Sequence, residues 1–322
     1  CLYSLETMVR KFTGRLSKDQ WAGLDREQDY PHVIGNSTTR HVEYLAKTYG
    51  GFIDRRSFQK SFLRAAWLTL AGGRDEKRRQ EVRADLKHFK CNNILTDADT
   101  AAWSKEINEK RKLFVPQKIE SLIEKQSASI QIDSFSDQVR AAIDIYYQLY
   151  HEILFKIETN TLDDLNDILP DKAHHLIEPM PGVGVFLATV KGWLGEDATL
   201  IYEDLHKSIT ETTEHRIDAE TVKTRLAKIG HHFQKHPLKI AIVTSSIAYE
   251  AHIVLSEVFR IIRLQMQSWR LSEIRKKKLI KIFSDYNQVL DCVVTASDSS
   301  EIRLKPHRDL YSLALHQLGI HK

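Results

Sequence analysis

Apolar residues fall at positions 2, 5, 8, 9 and 12 of Cys1 to Phe12 (CLYSLETMVRKF), the three-to-four spacing of a helix with one buried face. The same spacing predicts helices over Arg40 to Tyr49, Phe58 to Leu70, Asp75 to Phe89, Ala98 to Glu124 and Ser136 to Ile157. Gly35-Asn36-Ser37-Thr38 reads as a turn and N-cap ahead of the first of these. Strand patterns are absent from this half of the sequence, and the character changes only at Met180. Pro181-Gly182-Val183-Gly184-Val185-Phe186-Leu187 opens a helix with proline near its first position, and 195–232 reads as a charged helical insertion. Leu238 to Ser246 (LKIAIVTSS) then breaks the helical period. Its run Leu238, Ile240, Ala241, Ile242, Val243 has the near-continuous apolar character of a parallel strand covered by helices on both faces. A helix over Ala248 to Phe259, a helical stretch to Phe283, a second strand over Val289 to Thr295 and an amphipathic helix from Asp309 to Leu318, stopped by Gly319, complete the pattern.

The two strands matter because each ends in small hydroxyl residues. Thr244, Ser245 and Ser246 stand at the carboxyl end of the first, where open α/β sheets place their ligands, and the helix that follows would turn its N–H groups toward an anion there. A strand followed by Ser or Thr as an ordinary helix cap is the competing reading. Other motifs carry less. Asp97-Ala98-Asp99-Thr100 has the spacing of a phosphatase nucleophile, but only Ile94 and Leu95 precede it, and a capping role at the following helix fits better. Asp163, Asp164 and Asp167 read as acidic residues at the start of a short helix. Gly182 and Gly184 lack both the preceding strand and the third glycine of a dinucleotide fingerprint.

Composition narrows the partners. Over 322 residues the chain is 42% hydrophobic and 28% charged, with a formal net charge of +4. That balance describes a globular chain of one large or two moderate domains and gives no reason to expect nucleic acid or an anionic membrane. The run Arg275-Lys276-Lys277-Lys278 with Lys281 reads as the solvated side of a helix. There is no apolar run of transmembrane length and no signal-peptide pattern, so a cytoplasmic location is expected. Cys1, Cys91 and Cys292 have neither metal-ligand spacing nor a disulfide framework, and free thiols are expected. The start at Cys and the stop just after a helical pattern read as an internal fragment of a longer protein.

Three stretches in order, PGVGVFL, KIAIVTSS and LKPHRDLYSLALHQLG, resemble the haloacid dehalogenase superfamily, in its branch of phosphatases and phosphomutases with a helical cap. Thr244 matches the hydroxyl of that family's second motif and Lys305 the lysine of its third. Cys1 to Glu6 resembles the residues that follow the first motif, and Ile34-Gly35-Asn36-Ser37 the cap loop that approaches the substrate. The departures are the nucleophilic aspartate pair and the acidic pair of the fourth motif, which would lie before Cys1 and after Lys322. Leu304 and His307-Arg308 also replace residues common beside the motif lysine.

The resemblance implies an α/β fold: a partial Rossmann-like core over 177–322, a large α-helical cap over 13–176, and residues 1–12 as the start of the core. It implies a phosphatase acting on a small phosphorylated metabolite through an aspartyl-phosphate, with Mg²⁺ held mainly by residues outside this segment. Thr244 and Lys305 would be catalytic, Ser245 and Ser246 would contact the phosphate, and Asn36 and Arg40 would be the cap's contacts. The chain as given would bind phosphate without turnover. A phosphomutase, a non-catalytic relative that binds a phosphorylated ligand or a protein, and a helical interaction module using 275–281 are the alternatives. Oligomeric state is not legible.

Overall fold

Two structural units divide the chain, Cys1–Leu162 and Asp163–Lys322. The computed structural model describes residues 1–15, 19–91, 97–161, 175–202, 218–298, 303, 305 and 307–320, with backbone alone at 97 and 98. Asp163, Asp164 and Asp167, and the middle of the 195–232 insertion, lie outside the described residues. The described chain is mostly helical, and its one sheet is a parallel pair of three-residue strands.

The described residues of the first unit form eight α-helices: α1 (Leu2–Thr13), α2 (Tyr30–Val33), α3 (Thr38–Tyr49), α4 (Arg55–Gly72), α5 (Glu76–His88), α6 (Asp97–Lys110), α7 (Gln117–Ser127) and α8 (Phe135–Thr159). Their starts follow the caps written in the sequence. Ser37, Asp54, Asp75 and Ser134 each accept a backbone N–H of the following first turn with a side-chain oxygen. α1 buries Leu5, Met8, Val9 and Phe12 against α3, α4 and α8, so it packs inside the helical unit. Each such side chain contributes about 1.5–3 kcal/mol by leaving water. Gly14 at φ 68° ends α1 in a backbone conformation that glycine adopts without strain.

The single helix expected over Ala98 to Glu124 is two. α6 stops at Lys110, Arg111 takes φ 50°, and α7 resumes after Pro116, which has no N–H to continue a helix. α4 lies centrally, with Phe58, Phe62, Leu63 and Trp67 buried. Beneath this apolar core runs a charged layer between α5 and α8. Arg78 is ion-paired to Asp144, both buried, and its guanidinium lies 4.7 Å from the centre of the Tyr147 ring. Arg140 meets Asp85 at 2.6 Å.

The second unit comprises α9 (Val183–Val190), a 3₁₀ turn (Gly195–Ile201), α10 (Ala219–Lys235), β1 (Ala241–Val243), α11 (Ala248–Met266), α12 (Glu273–Ile282), β2 (Cys292–Val294) and α13 (Asp309–Gln317). Pro181 precedes α9 by two residues. The turn from Met180 to Val183 is closed by a 3.1 Å backbone bond through Gly182 at φ 80°, so the helix starts after the glycine, later than the sequence indicates. The helical stretch expected from Phe259 to Phe283 is interrupted after Met266 and restarts at Glu273 under a Ser272 cap.

β1 and β2 pair in parallel, with Ala241, Ile242 and Val243 in register with Cys292, Val293 and Val294. Alternation along the strands sorts their side chains to two sides. Ala241, Val243, Cys292 and Val294 meet Leu310 and Ala314 of α13, whereas Ile240, Ile242 and Val293 join the cluster of α9, α11 and α12. Both faces are thus covered, as the apolar run requires. Among the described residues no helix is long and apolar enough to cross a membrane.

Candidate functional site

Parallel pairing sets the geometry at the strand ends. Within a parallel strand the N–H and C=O groups of successive residues point to opposite edges. The Thr244 N–H donates to the Val294 carbonyl at 2.9 Å, toward β2, so the Val243 carbonyl faces the other edge of β1. The Lys305 ammonium donates to that carbonyl at 3.3 Å, from 62 residues further along the chain. Thr244 and Lys305 are thereby brought to the same strand end.

The loop between them is organised by its hydroxyls. Thr244 Oγ1 accepts the Ser246 N–H at 3.0 Å, which directs the hydroxyl's own hydrogen elsewhere. The Ser246 carbonyl accepts the Ala296 N–H at 2.9 Å and ties the two strand ends together. Ser245 is half-buried between these residues. At the end of β2, Asp298 accepts both the N–H and the hydroxyl of Thr295, so its carboxylate is engaged by its own turn. Ser297 Oγ accepts the Ala248 N–H at 2.9 Å. The first N–H of α11 is therefore taken by a serine of the neighbouring turn, where sequence reasoning left it open to an anion.

Lys305 is held by a clasp that sequence reasoning missed. Asp309, the first residue of α13, receives the Arg303 guanidinium at 2.8 and 3.2 Å and the Arg303 N–H at 3.2 Å. His307 Nδ1 lies 2.8 Å from the same carboxylate. The two residues flanking Lys305 at a distance of two are both tied to Asp309, which fixes the short arc carrying the lysine. The Arg303 guanidinium holds the Asp309 carboxyl down at about 2. An acidic residue opening a helix three residues after a Lys-Pro step was the available signal. Lys305 itself is exposed.

The opposite end of the strands is closed by a different set. Asp291 accepts Lys191 at 2.8 Å and the Ile240 N–H at 2.7 Å. Burial raises the Asp291 pKa, but the bonds from Lys191 and Ile240 outweigh it and the net shift is downward. This end is an anchor, with its charges mutually satisfied.

Asn36 and Arg40 belong to the first unit. Both are exposed, and Asn36 Nδ2 donates to the His32 carbonyl at 3.0 Å, closing the turn that precedes α3. Beside them His41 is buried in α3, and that burial lowers its pKa. Asp97 and Asp99 fall within the first turn of α6, past the cap position expected for them. The three thiols are free, and burial pushes Cys91 up to about 11 and raises Cys292, which suits packing and not nucleophilic chemistry. In the basic run, Arg275 donates to the carbonyls of Trp193 and Leu194, and Lys276 to Gln267 and Glu273. Two of its five charges are thus spent on the fold.

A hard cation such as Mg²⁺ takes several oxygen ligands, carboxylates first. At the strand ends the described residues offer hydroxyls, a carbonyl already bonded to an ammonium, and the engaged carboxylates of Asp298 and Asp309. Among the described residues no group of three or more His, Cys, Asp or Glu stands together to hold a metal. The described residues therefore do not make a Mg²⁺ site, and the chemistry they support is that of an anion held by a hydroxyl and an ammonium. Comparison with protein-family models, with curated proteins and with solved structures finds no match.

Proposed function

We propose that the ends of β1 and β2 bind a phosphoryl group, and that this chain is the phosphate-holding part of a phosphoryl-transfer hydrolase of haloacid dehalogenase type acting on a small phosphorylated metabolite. The observation that carries the reading is the Lys305 ammonium seated 3.3 Å from the Val243 carbonyl, one residue from the Thr244 hydroxyl. A lysine ammonium has three donors. One is used on Val243, leaving two for a phosphoryl oxygen and a second anion beside it. The Thr244 hydroxyl, its oxygen already accepting from Ser246, is set to donate to a phosphoryl oxygen.

Phosphoryl transfer spreads negative charge over the oxygens in flight, and fixed donors that meet this charge do most of the catalytic work. In the proposed reaction a carboxylate oxygen bonds to phosphorus as the bond to the leaving oxygen breaks, and water later releases phosphate from the acyl phosphate. The described residues supply the donors and not the carboxylate, which would come from a further strand along the open edge of β1. With the carboxylate absent, the same geometry serves a protein that binds a phosphorylated ligand without turnover, the reading favoured by Asp298 being engaged within its own turn.

Binding of inorganic phosphate and of orthovanadate by calorimetry tests both readings. Thr244→Val and Lys305→Ala are each expected to weaken binding by about tenfold or more, the loss of a hydrogen bond to a charged group. Unchanged affinity in either variant would remove the strand ends as the site.

A further inference from the structure

The first unit contains a cavity that the strand-end reading does not use. It measures about 300 Å³, within the range of small-molecule sites, and lies between α1, α4, α8 and the 111–116 connection. One wall is apolar, made by Leu68, Leu113, Phe114 and Val115. That wall is braced, since the Phe114 ring lies 6.2 Å from Trp103 in an edge-on contact and 4.9 Å from the Lys110 ammonium. The other wall carries Lys11, Ser61, Arg64, Glu120, Gln148 and Glu152. A hollow of about 250 Å³ adjoins it and shares Lys11, Ser61, Arg64 and Glu120.

The charges around this cavity are matched except for one. Arg64 is paired with Glu120 at 2.5 Å, and Lys60 and Arg56 with Glu124. Glu152 accepts the Gln148 amide at 2.8 Å and has Lys156 at 3.8 Å. Lys11 on α1 has no hydrogen bond or ion pair from its ammonium to any described residue, although its aliphatic stem is half-buried. Its burial disfavours the charged form, Glu152 favours it, Arg64 opposes it, and the net shift is downward. Glu152 acts on this ammonium only through space, so an ammonium held partly out of water lacks a hydrogen-bonded counter-ion, and a carboxylate brought into direct contact would relieve that cost.

We propose that this cavity is a binding site for a small organic monoanion, a carboxylate with an apolar body. Its head meets the Lys11 ammonium, with the Ser61 hydroxyl in reach of the same wall, and its body lies on Leu68, Leu113, Phe114 and Val115. One uncommitted positive charge matches one negative charge. Glu120 and Glu152 on the same lining oppose a second, so a phosphate dianion fits poorly. The site is separate in chain and chemistry from the strand ends and stands whether or not they bind phosphate.

The test uses the whole chain and three probes of like shape: phenylacetate, phenylacetamide and phenyl phosphate, followed by calorimetry and ligand-observed NMR. Phenylacetate is expected to bind, with the neutral amide and the phosphate each weaker by roughly tenfold or more. Lys11→Met, which keeps the apolar stem, is expected to lose a similar factor. Phe114→Ala, which leaves the ammonium in place, is expected to lose several-fold and keeps the test open should the Lys11 variant fail to fold. No binding of phenylacetate, equal binding of the amide, preference for the phosphate, or unchanged affinity in a folded Lys11→Met protein would each overturn the proposal.

Discussion

α8 of the first unit runs for 25 residues and buries a stripe from Val139 to Phe155, whereas β1 of the second has three residues, each only half-buried. The contrast extends to the units around them. In the first, long helices present wide apolar faces to one continuous core that includes Leu5, Phe62 and Trp67. In the second, the apolar side chains form two clusters on either side of a short sheet, and α10 buries fully only Gly230. A long amphipathic helix tolerates an error in any single position because the face is redundant. Two short strands do not, and their placement rests on particular bonds, such as Asp291 to Ile240 and Thr244 to Val294. Robust architecture and the exposed chemistry of strand ends are divided between the two units.

Breaking the buried pair of the helical unit is expected to have the largest effect. Asp144→Ala removes the buried partner of the Arg78 guanidinium and leaves it only the more exposed Glu81 at 2.7 Å, and a loss of about 3 kcal/mol is expected. Hydrogen exchange read by mass spectrometry should place that loss in residues of the first unit, and uniform loss across both units would dissolve the contrast. In the second unit the sensitive point is a backbone contact. A methyl group added at Gly230 would stand 2.0 Å from the Gly195 carbonyl oxygen, so Gly230→Ala forces α10 away from the 3₁₀ turn. About 1–3 kcal/mol is expected, localised to the second unit; a neutral result in thermal melts would mean that α10 adds nothing to that unit's stability.

A pH series sharpens the comparison. Burial lowers the His41 pKa below its ordinary value of 6.5, so below about 6.5 the unfolded chain takes up a proton that the folded chain refuses. The unfolded state then binds more protons, and stability falls as the pH drops through that range. His41→Gln should flatten the dependence in the first unit; an unchanged slope would assign it elsewhere. The smallest effect is expected at the clasp. Asp309→Asn releases Arg303 and His307 and loosens the arc of Lys305 without removing the ammonium, so phosphate affinity should fall on the order of a few-fold, less than in Lys305→Ala. A loss equal to that of Lys305→Ala would make Asp309 part of the binding contact itself.

Legibility followed the same division. The helix start at Ser37 could be read because a capping residue acts locally on its own first turn, whereas the caps at Asp75 and Ser134 carry the same signal and were passed over, the second helix being begun at Ser136. The break between α6 and α7 was visible in Pro116 but was overridden by an apolar period that runs on either side of it. The two strands were legible from their apolar runs, and the closeness of Thr244 and Lys305 was implied only by the family resemblance. The clasp on Asp309 and the bond from Ser297 to Ala248 were not, because each depends on a loop folding back to a partner that no periodicity marks. Nor was the uncommitted Lys11, since a cation is left over only after every neighbour's partner is known.

The Lys305 bond to Val243 has one more consequence. Among the described residues β1 pairs with β2 alone, and two devices that blunt a strand edge meet there, a strand of only three residues and a lysine. A lysine laid across that edge places a hydrated charge where an intruding strand would have to pair. The ammonium proposed to hold a phosphate thus also stands guard at an edge, and Lys305→Ala is expected to raise self-association in light scattering even where no ligand is present.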